Sequence, residues 1–326
     1  MLHSYDLKGG KDSFSDLISN ISPEDTFIVS ESKKQSTATS FFKWQTDHLD
    51  KVIYDLATTY DVLEGADAET PKQVIGVNGT TDKTGQTQIF RKVFSISDSA
   101  LATSTHGREG ELKYQLLKAG KELKNVMEVV FSSKQAATKA SDTTAPKTDG
   151  LFIQIAKEGV DNPDLPAPKV PGENAVHKKA AITFEAIDGI ANALYRSGSK
   201  ANVILTNYAN SAAINAAIDE AKTAKVDQLE MFNETSIDVG VKRQTQVKTL
   251  TDSLGRVWEI KYSRFAPVDL VYFVNADDLT QRVLREPKAT RLGKQGSSEE
   301  WQLVIEAGLQ LSNPYAAGVI EVVAKP

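Results

Sequence analysis

The chain has 326 residues, a formal net charge of -5, and charged residues making up 25% of it, enough for one large domain or two. It has no cysteine, which excludes disulfides, thiolate metal sites and a cysteine nucleophile. Net acidity argues against bulk electrostatic binding of nucleic acid, which needs clustered Lys and Arg, but not against a local basic patch.

Residues 1–35 read as an arm. Leu2 to Asp12 is polar and carries Gly9-Gly10. Phe14, Leu17, Ile18 and Ile21 then make a short amphipathic stretch, stopped by Pro23. Phe27, Ile28 and Val29 form a brief apolar patch. Such a segment either folds back on its own domain or lies on a neighbour. No apolar run reaches the length of a membrane span, and the start lacks the basic-then-apolar layout of a signal peptide. A soluble intracellular product is expected.

Residues 36–97 read as a long two-stranded projection. Thr37 to Thr46 and Gln86 to Ser97 are β-rich runs, separated by polar, turn-rich pieces that include Asn78-Gly79. A lone ribbon is marginally stable, so it needs a partner surface. Phe41, Phe42 and Trp44 lie in an otherwise thin segment, and an intersubunit contact is the preferred way to bury them. Phe27 and Phe90 join them as interface candidates.

Residues 108–131 read as one long amphipathic helix. Leu112, Leu116, Ala119, Leu123, Val126 and Val130 recur at steps of three and four and share a face. Lys118 with Glu122 and Lys124 with Glu128 are charge pairs at helical spacing. Ser104 or Thr105 is placed to cap the start. The pattern fits a long core helix and equally a spine carrying other elements of a larger assembly.

Residues 132–171 are linker-like, with one apolar run at 150–155 that reads as a strand or docking segment. Residues 180–278 read as a compact α/β domain. Phe184, Ile187, Ala191 and Leu194 mark a helix, residues 202–206 a strand, and residues 211–224 an alanine-rich helix. Strands are expected at 235–241, 247–250, 257–262 and 270–274. Arg282 to Leu292 reads as a polar stretch broken by Pro287. Residues 301–311 and 317–323 read as two strands returning to the long helix, which makes the α/β domain an insertion.

Motifs for chemistry are missing. Lys83-Thr84 has no glycine before the lysine, so the phosphate-loop core is absent, and there is no dinucleotide fingerprint or nucleophile elbow. His3, His48, His106 and His177 lie outside ligand spacing. His106 reads as a helix-entry residue. Asp277-Asp278 and Glu299-Glu300 are neighbours in sequence and do not face each other, which favours a solvated surface. Arg91, Lys92, Arg282, Arg285, Lys288, Arg291 and Lys294 form local basic clusters. They suit a solvated face, salt bridges to a neighbouring subunit or phosphate contacts, and net acidity favours the subunit contact over phosphate.

Several stretches resemble one protein family. They are Asn20 to Phe27 (Asn-Ile-Ser-Pro-Glu-Asp-Thr-Phe), Trp44 to Asp47 (Trp-Gln-Thr-Asp) and Thr87 to Lys92. The helix matches at Gly107-Arg108, Glu111-Leu112, Tyr114 to Leu116, Gly120 to Lys124 and Met127-Glu128. Leu292 to Glu299 and Gly318 to Ile320 match near the end. The resemblance is to the major head proteins of tailed bacteriophages, in the family typified by the enterobacterial phage SU ten. The stretches 50–78 and 161–172 depart from it and look like insertions.

The resemblance implies an α+β, Hong Kong 97-type capsid fold. Its parts are an N-terminal arm (1–35), an extended β loop (36–97), a peripheral domain (98–150 and 279–326) with the spine helix, and an inserted axial α/β domain (151–278). It implies a shell of hexamers and pentamers around double-stranded DNA touched without sequence specificity, within a virion assembled in the host bacterial cytoplasm. Portal, scaffold or decoration proteins are possible partners. No catalytic residue, cofactor, metal or membrane is implied. A non-viral, encapsulin-like compartment shell is the first alternative, and an α/β enzyme with its site in 180–278 is the remote one.

Overall fold

A computed structural model describes residues 26–46, 80–103, 110–158, 177–196, 198–226, 249–294 and 296–323. In chain order the elements are α1 (Phe27–Glu31), β1 (Lys33–Ser36), β2 (Phe41–Thr46), β3 (Thr81–Gln86), β4 (Gln88–Ser97) and α2 (Asp98–Ala102). Then come α3 (Glu111–Ser132), α4 (Leu151–Glu158), β5 (His177–Ala180), α5 (Phe184–Arg196), β6 (Val203–Asn207) and α6 (Ser211–Val226). The chain closes with β7 (Thr249–Thr251), β8 (Val257–Ser263), β9 (Leu270–Val274), β10 (Leu279–Arg291), β11 (Ser298–Leu311) and β12 (Gly318–Val322). The expected stretch Leu2–Ile21, the Asn78-Gly79 turn, the Ser104/Thr105 cap, His106, the proline loop and the strand at 235–241 lie outside the described residues.

Three sheets form. One has four strands in the order β1-β10-β11-β4, one has six in the order β5-β12-β9-β6-β8-β7, and β2 pairs with β3 alone. The four-stranded sheet is built on the long antiparallel pair β10–β11. Pro287 does not break β10. It lies between Arg285 and Lys288, where the register slips, and a bulge accommodates a residue that cannot donate to the ladder.

The helix α3 lies across one face of this sheet. Leu303 of β11 approaches Gly120, and Leu123, Met127 and Phe131 share a buried cluster with Phe90, Ile305, Ala307 and Leu309. Phe131 is fully buried and meets the Phe90 ring edge-on at 6.0 Å between centroids. The buried stripe is therefore Ala119, Leu123, Met127 and Phe131, at a constant step of four. Leu112 and Leu116 are half-buried, and Val130 packs partly against the cluster. Val126 is 51% exposed, against expectation. A step of four drifts around the helix, and the sheet follows that drift rather than the alternating three-four stripe.

The six-stranded sheet has α5 packed against it, and every residue of β6 and β9 is buried. Continuous apolar strands need covered faces and a neighbour on each side. On one side of β9 that neighbour is β12, whose Val319 and Ile320 are fully buried. Only the first of the two C-terminal strands thus returns to the long helix. The second completes the other sheet.

Two further expectations change. The run at 150–155 is part of the helix α4, not a strand, because Leu151, Phe152 and Ile155 fall on one helical face and are all buried. The ribbon is shorter than 36–97. Phe41–Thr46 pairs with Thr81–Gln86, while Gln88–Ser97 turns away to pair with β11.

Candidate assembly interface

The root of the ribbon is fixed by one aromatic side chain. Successive residues of a strand point to opposite faces. On β11, Leu303, Ile305, Ala307 and Leu309 face α3, so Glu306 and Gly308 face away from it. Phe42 of β2 lies on that far face, 5% exposed, between Gly85 and Gly308. A Cβ at Gly85 would collide with the Phe42 ring. A Cβ at Gly308 would stand 2.6 Å from the Gln86 carbonyl oxygen and 2.9 Å from the ring. Both positions need glycine for this close approach.

Polar contacts surround the ring. The Arg282 guanidinium stands 6.0 Å from the Phe42 centroid. The Thr87 hydroxyl donates to Glu306 Oε1 at 2.9 Å, and the Thr87 N–H donates to the Ser40 carbonyl at 2.8 Å. Trp44 stacks on Phe42 at 5.9 Å, and its indole N–H is enclosed without an acceptor among the described residues. Phe41, on the other side of β2, is 37% exposed beneath the Lys139 ammonium at 5.4 Å. Phe42 and Phe90 are thus buried within the chain, which corrects the expectation that they await a neighbour. Phe27 also packs partly against the chain's own core. Neither glycine could be assigned this role from one sequence, because the strands that meet at Phe42 lie far apart in it.

A second fixture holds the start of the described chain. Glu128 of α3 is fully buried. Its Oε1 accepts the Ile28 N–H at 2.9 Å, and its Oε2 accepts the Val29 N–H at 2.8 Å. These are donors in the first turn of α1, which no side chain of its own caps. A carboxylate a hundred residues away therefore does the capping, and the helix dipole favours its charge. Gln281 extends the joint, donating to the Val29 carbonyl at 2.8 Å and to Ser32 Oγ at 2.6 Å. Burial pushes the Glu128 carboxyl up to about 7, against the opposing pull of the backbone N–H donors of α1.

The basic candidates are mostly paired within the chain. Lys92 meets Glu122 at 2.8 Å, Arg285 meets Glu306 at 2.7 Å, Arg291 meets Glu299 at 2.6 Å and Lys294 meets Asp98 at 2.7 Å. The hydrogen bond from Lys294 holds the Asp98 carboxyl below its ordinary range. Asp277 takes Lys33 at 3.0 Å. The exposed pairs of Lys92, Lys294 and Lys33 are screened by solvent and worth little, so exchanging their partners costs little, whereas Glu306 of the Arg285 pair is buried. Arg91 is exposed on β4, an edge strand, and the far half of β10 from Arg285 is exposed as well. Edges rich in charge resist indiscriminate strand pairing while leaving room for a specific one. Among the described residues, no three His, Asp or Glu stand together as metal ligands, and no helix is long and apolar enough to cross a membrane.

Comparison with known proteins places this geometry. The family model of the SU10 major capsid protein matches residues 2–324. The major capsid protein of Escherichia phage Phieco32 is 35% identical over 97% of this chain and 95% of its own length. The capsid of a native GTA particle, computed with C5 symmetry, superposes with a TM-score of 0.59 at 13% identity, over 98% of each chain. The holo-SrpI encapsulin of Synechococcus elongatus PCC 7942 gives 0.55 at 9% identity, over 96% of this chain and 92% of its own. The fold is the HK97-like capsid fold, shared by viral and non-viral shells alike.

Two outcomes test these fixtures. Gly308→Ala should raise amide exchange at Thr87 by at least roughly tenfold, about 1.4 kcal/mol of local stability. Unchanged exchange would mean the ribbon does not depend on the Phe42 seat. The Glu128 carboxyl titrates higher in the fold than its ordinary 4.5, so its protonated form is favoured there. That contribution is complete below the ordinary value and is lost as pH rises through about 7. The stability of wild type relative to Glu128→Gln should therefore be greater at pH 5 than at pH 8, by at most about 3 kcal/mol. A difference independent of pH, measured by denaturation of dispersed subunits, would contradict this.

Proposed function

The chain belongs to the SU10 major capsid protein family and is the major capsid protein of a phage; from that premise we propose that its copies close an icosahedral head around double-stranded DNA. The 35% identity along nearly the full length of a phage major capsid protein carries this reading over an encapsulin-like compartment, since fold likeness alone is common to both. The work is mechanical. Many weak contacts repeated by symmetry act together, so no single one has to be strong.

Each part has a place in that work. The four-stranded sheet with α3 forms the peripheral domain. The six-stranded sheet with α5 and α6, completed by β12, forms the axial domain around fivefold and sixfold axes. The ribbon β2–β3 crosses onto an adjacent subunit, with Phe41 and Trp44 as contacts. Its rigid root supports this, because a projection can set the angle between subunits only if its base does not swivel. The described chain starts at the Glu128 fixture, and the arm expected to clamp a neighbour lies, up to Asp25, outside the described residues. Arg91, Arg291 and Lys294 meet acidic groups of adjoining copies, and portal, scaffold or decoration proteins complete the head.

Purified chain, alone and co-expressed with its phage's assembly partners, should give rings of five and six or closed shells by light scattering and negative-stain microscopy. A monomer or dimer that persists with those partners present would overturn the shell reading.

A further inference from the structure

The strand β4 closes one side of the four-stranded sheet and has no strand beyond it among the described residues. An edge strand presents alternate N–H and C=O groups outward, ready for pairing. Here the edge is lined with apolar side chains on both faces. Even-numbered residues of β4 face α3, as the Phe90–Phe131 and Lys92–Glu122 contacts show, so Ile89, Arg91 and Val93 face the other way. Ile89 is 45% exposed and Val93 41%. On the α3 side, Val126 is 51% exposed and Val129 45%. Both follow Glu122 at helical spacing, on the flank of α3 that overhangs β4. Two polar pairs mark the ends of this stretch, Lys92 with Glu122 at 2.8 Å and Gln88 with Gln135 at 2.7 Å. The edge between them covers about 13 Å, the length of about five extended residues. Scattered exposed valines need no explanation, but apolar residues on both sides of one open edge do.

We propose that a neighbouring copy of this chain adds its residues 52–56 to β4 as a fifth strand. The inference rests on the shell reading above and adds where the loop of one subunit is received on the next. Val52-Ile53-Tyr54-Asp55-Leu56 is rich in strand-forming residues. In a strand, Val52, Tyr54 and Leu56 fall on one side and meet Val126 and Val129, while Ile53 and Asp55 fall on the other. With Ile53 beside Val93 in an antiparallel register, Asp55 comes opposite the exposed Arg91. An apolar and an opposite-charge cross-strand pair then fix the register, and main-chain hydrogen bonds supply the affinity. Other stretches outside the described residues match less well. Phe14, Leu17, Ile18 and Ile21 recur at helical spacing, and Gly240 weakens 235–241 as a strand. A chain's own residues 52–56 start from the wrong end of the wall. Lys83, opposite Trp44 in the ribbon, stands 5.8 Å from the ring of Tyr315, which follows the C-terminal end of β11, whereas β4 pairs with residues 298–307. The ribbon thus heads away from its own β4, and that edge is reached from another copy. The stretch 50–78 looks like an insertion relative to the family's motifs, which makes this seat a feature of the chain rather than of the fold.

The test uses assembled shells. The chain has no cysteine, so Asp55→Cys with Arg91→Cys places one new thiol pair at each contact. Mild oxidation should turn the single band on a denaturing, non-reducing gel into a ladder of multimers. Asp55→Cys with Lys288→Cys should give no ladder, because Lys288 lies two strands from Arg91, about 10 Å and beyond disulfide reach. In wild-type shells, the outward amides of residues 89–93 should exchange at least tenfold more slowly than in dispersed subunits. Oxidised shells without a ladder, or with the disulfide closed inside one chain, would overturn the proposal. Unchanged exchange at β4 in wild-type shells would do the same, and that measurement decides if the double variant does not assemble. Protection of β4 accompanied by chemical cross-links from residues 1–25 or 235–241 gives the edge to another occupant and overturns it as well. Each of these leaves the shell reading standing, whereas a wild-type chain that forms no shell removes that reading itself.

Discussion

A β-strand shows alternate side chains to opposite sides, and β11 uses both. One set, from Leu303 to Leu309, carries the long helix, while Glu306 and Gly308 receive the root of the ribbon. The helix and the projection are thereby coupled through a single strand whose register is fixed by β10 and β4 on either side. A slip of one residue would exchange the two faces, burying Glu306 against α3 and presenting Ala307 to Phe42. Everything that extends from this wall takes its direction from that register.

The fixtures at the two faces differ in kind. The Phe42 seat is steric: two glycines admit one ring, and a methyl group at either position collides with it or with backbone. The Glu128 joint is electrostatic and responds to pH, because a buried carboxyl holds the first turn of α1. One part of the subunit is thus held rigidly and another conditionally. A subunit that has to fit many neighbours in one shell has use for both.

Patterns with a local cause were legible in the sequence. The long helix was readable from its repeat, and β6, β9 and both helices of the α/β region from apolar runs and spacing. What failed depended on contacts distant in sequence. Phe42 looked like an exposed aromatic because Gly308 lies more than 260 residues further on. Glu128 looked like the partner of Lys124 because the helix N–H groups it caps lie a hundred residues earlier. Val126 fits a three-four stripe, yet the sheet beneath follows a step of four. The run at 150–155 is too short for periodicity to separate strand from helix, and only its packing decides. The family motifs around Trp44 and along α3 pointed to a capsid protein well before these contacts could be placed.

The central claim is that the ribbon and the long helix lie on opposite faces of one wall, fixed by the register of β11, so that the ribbon is free to reach a neighbouring subunit. A single-particle reconstruction of the filled head tests it most directly. The account expects density for β2–β3 crossing an adjacent subunit from the Gly308 side, with α3 on the opposite face of the wall. A ribbon folded onto its own subunit, or one that leaves the wall on the same face as α3, would contradict it.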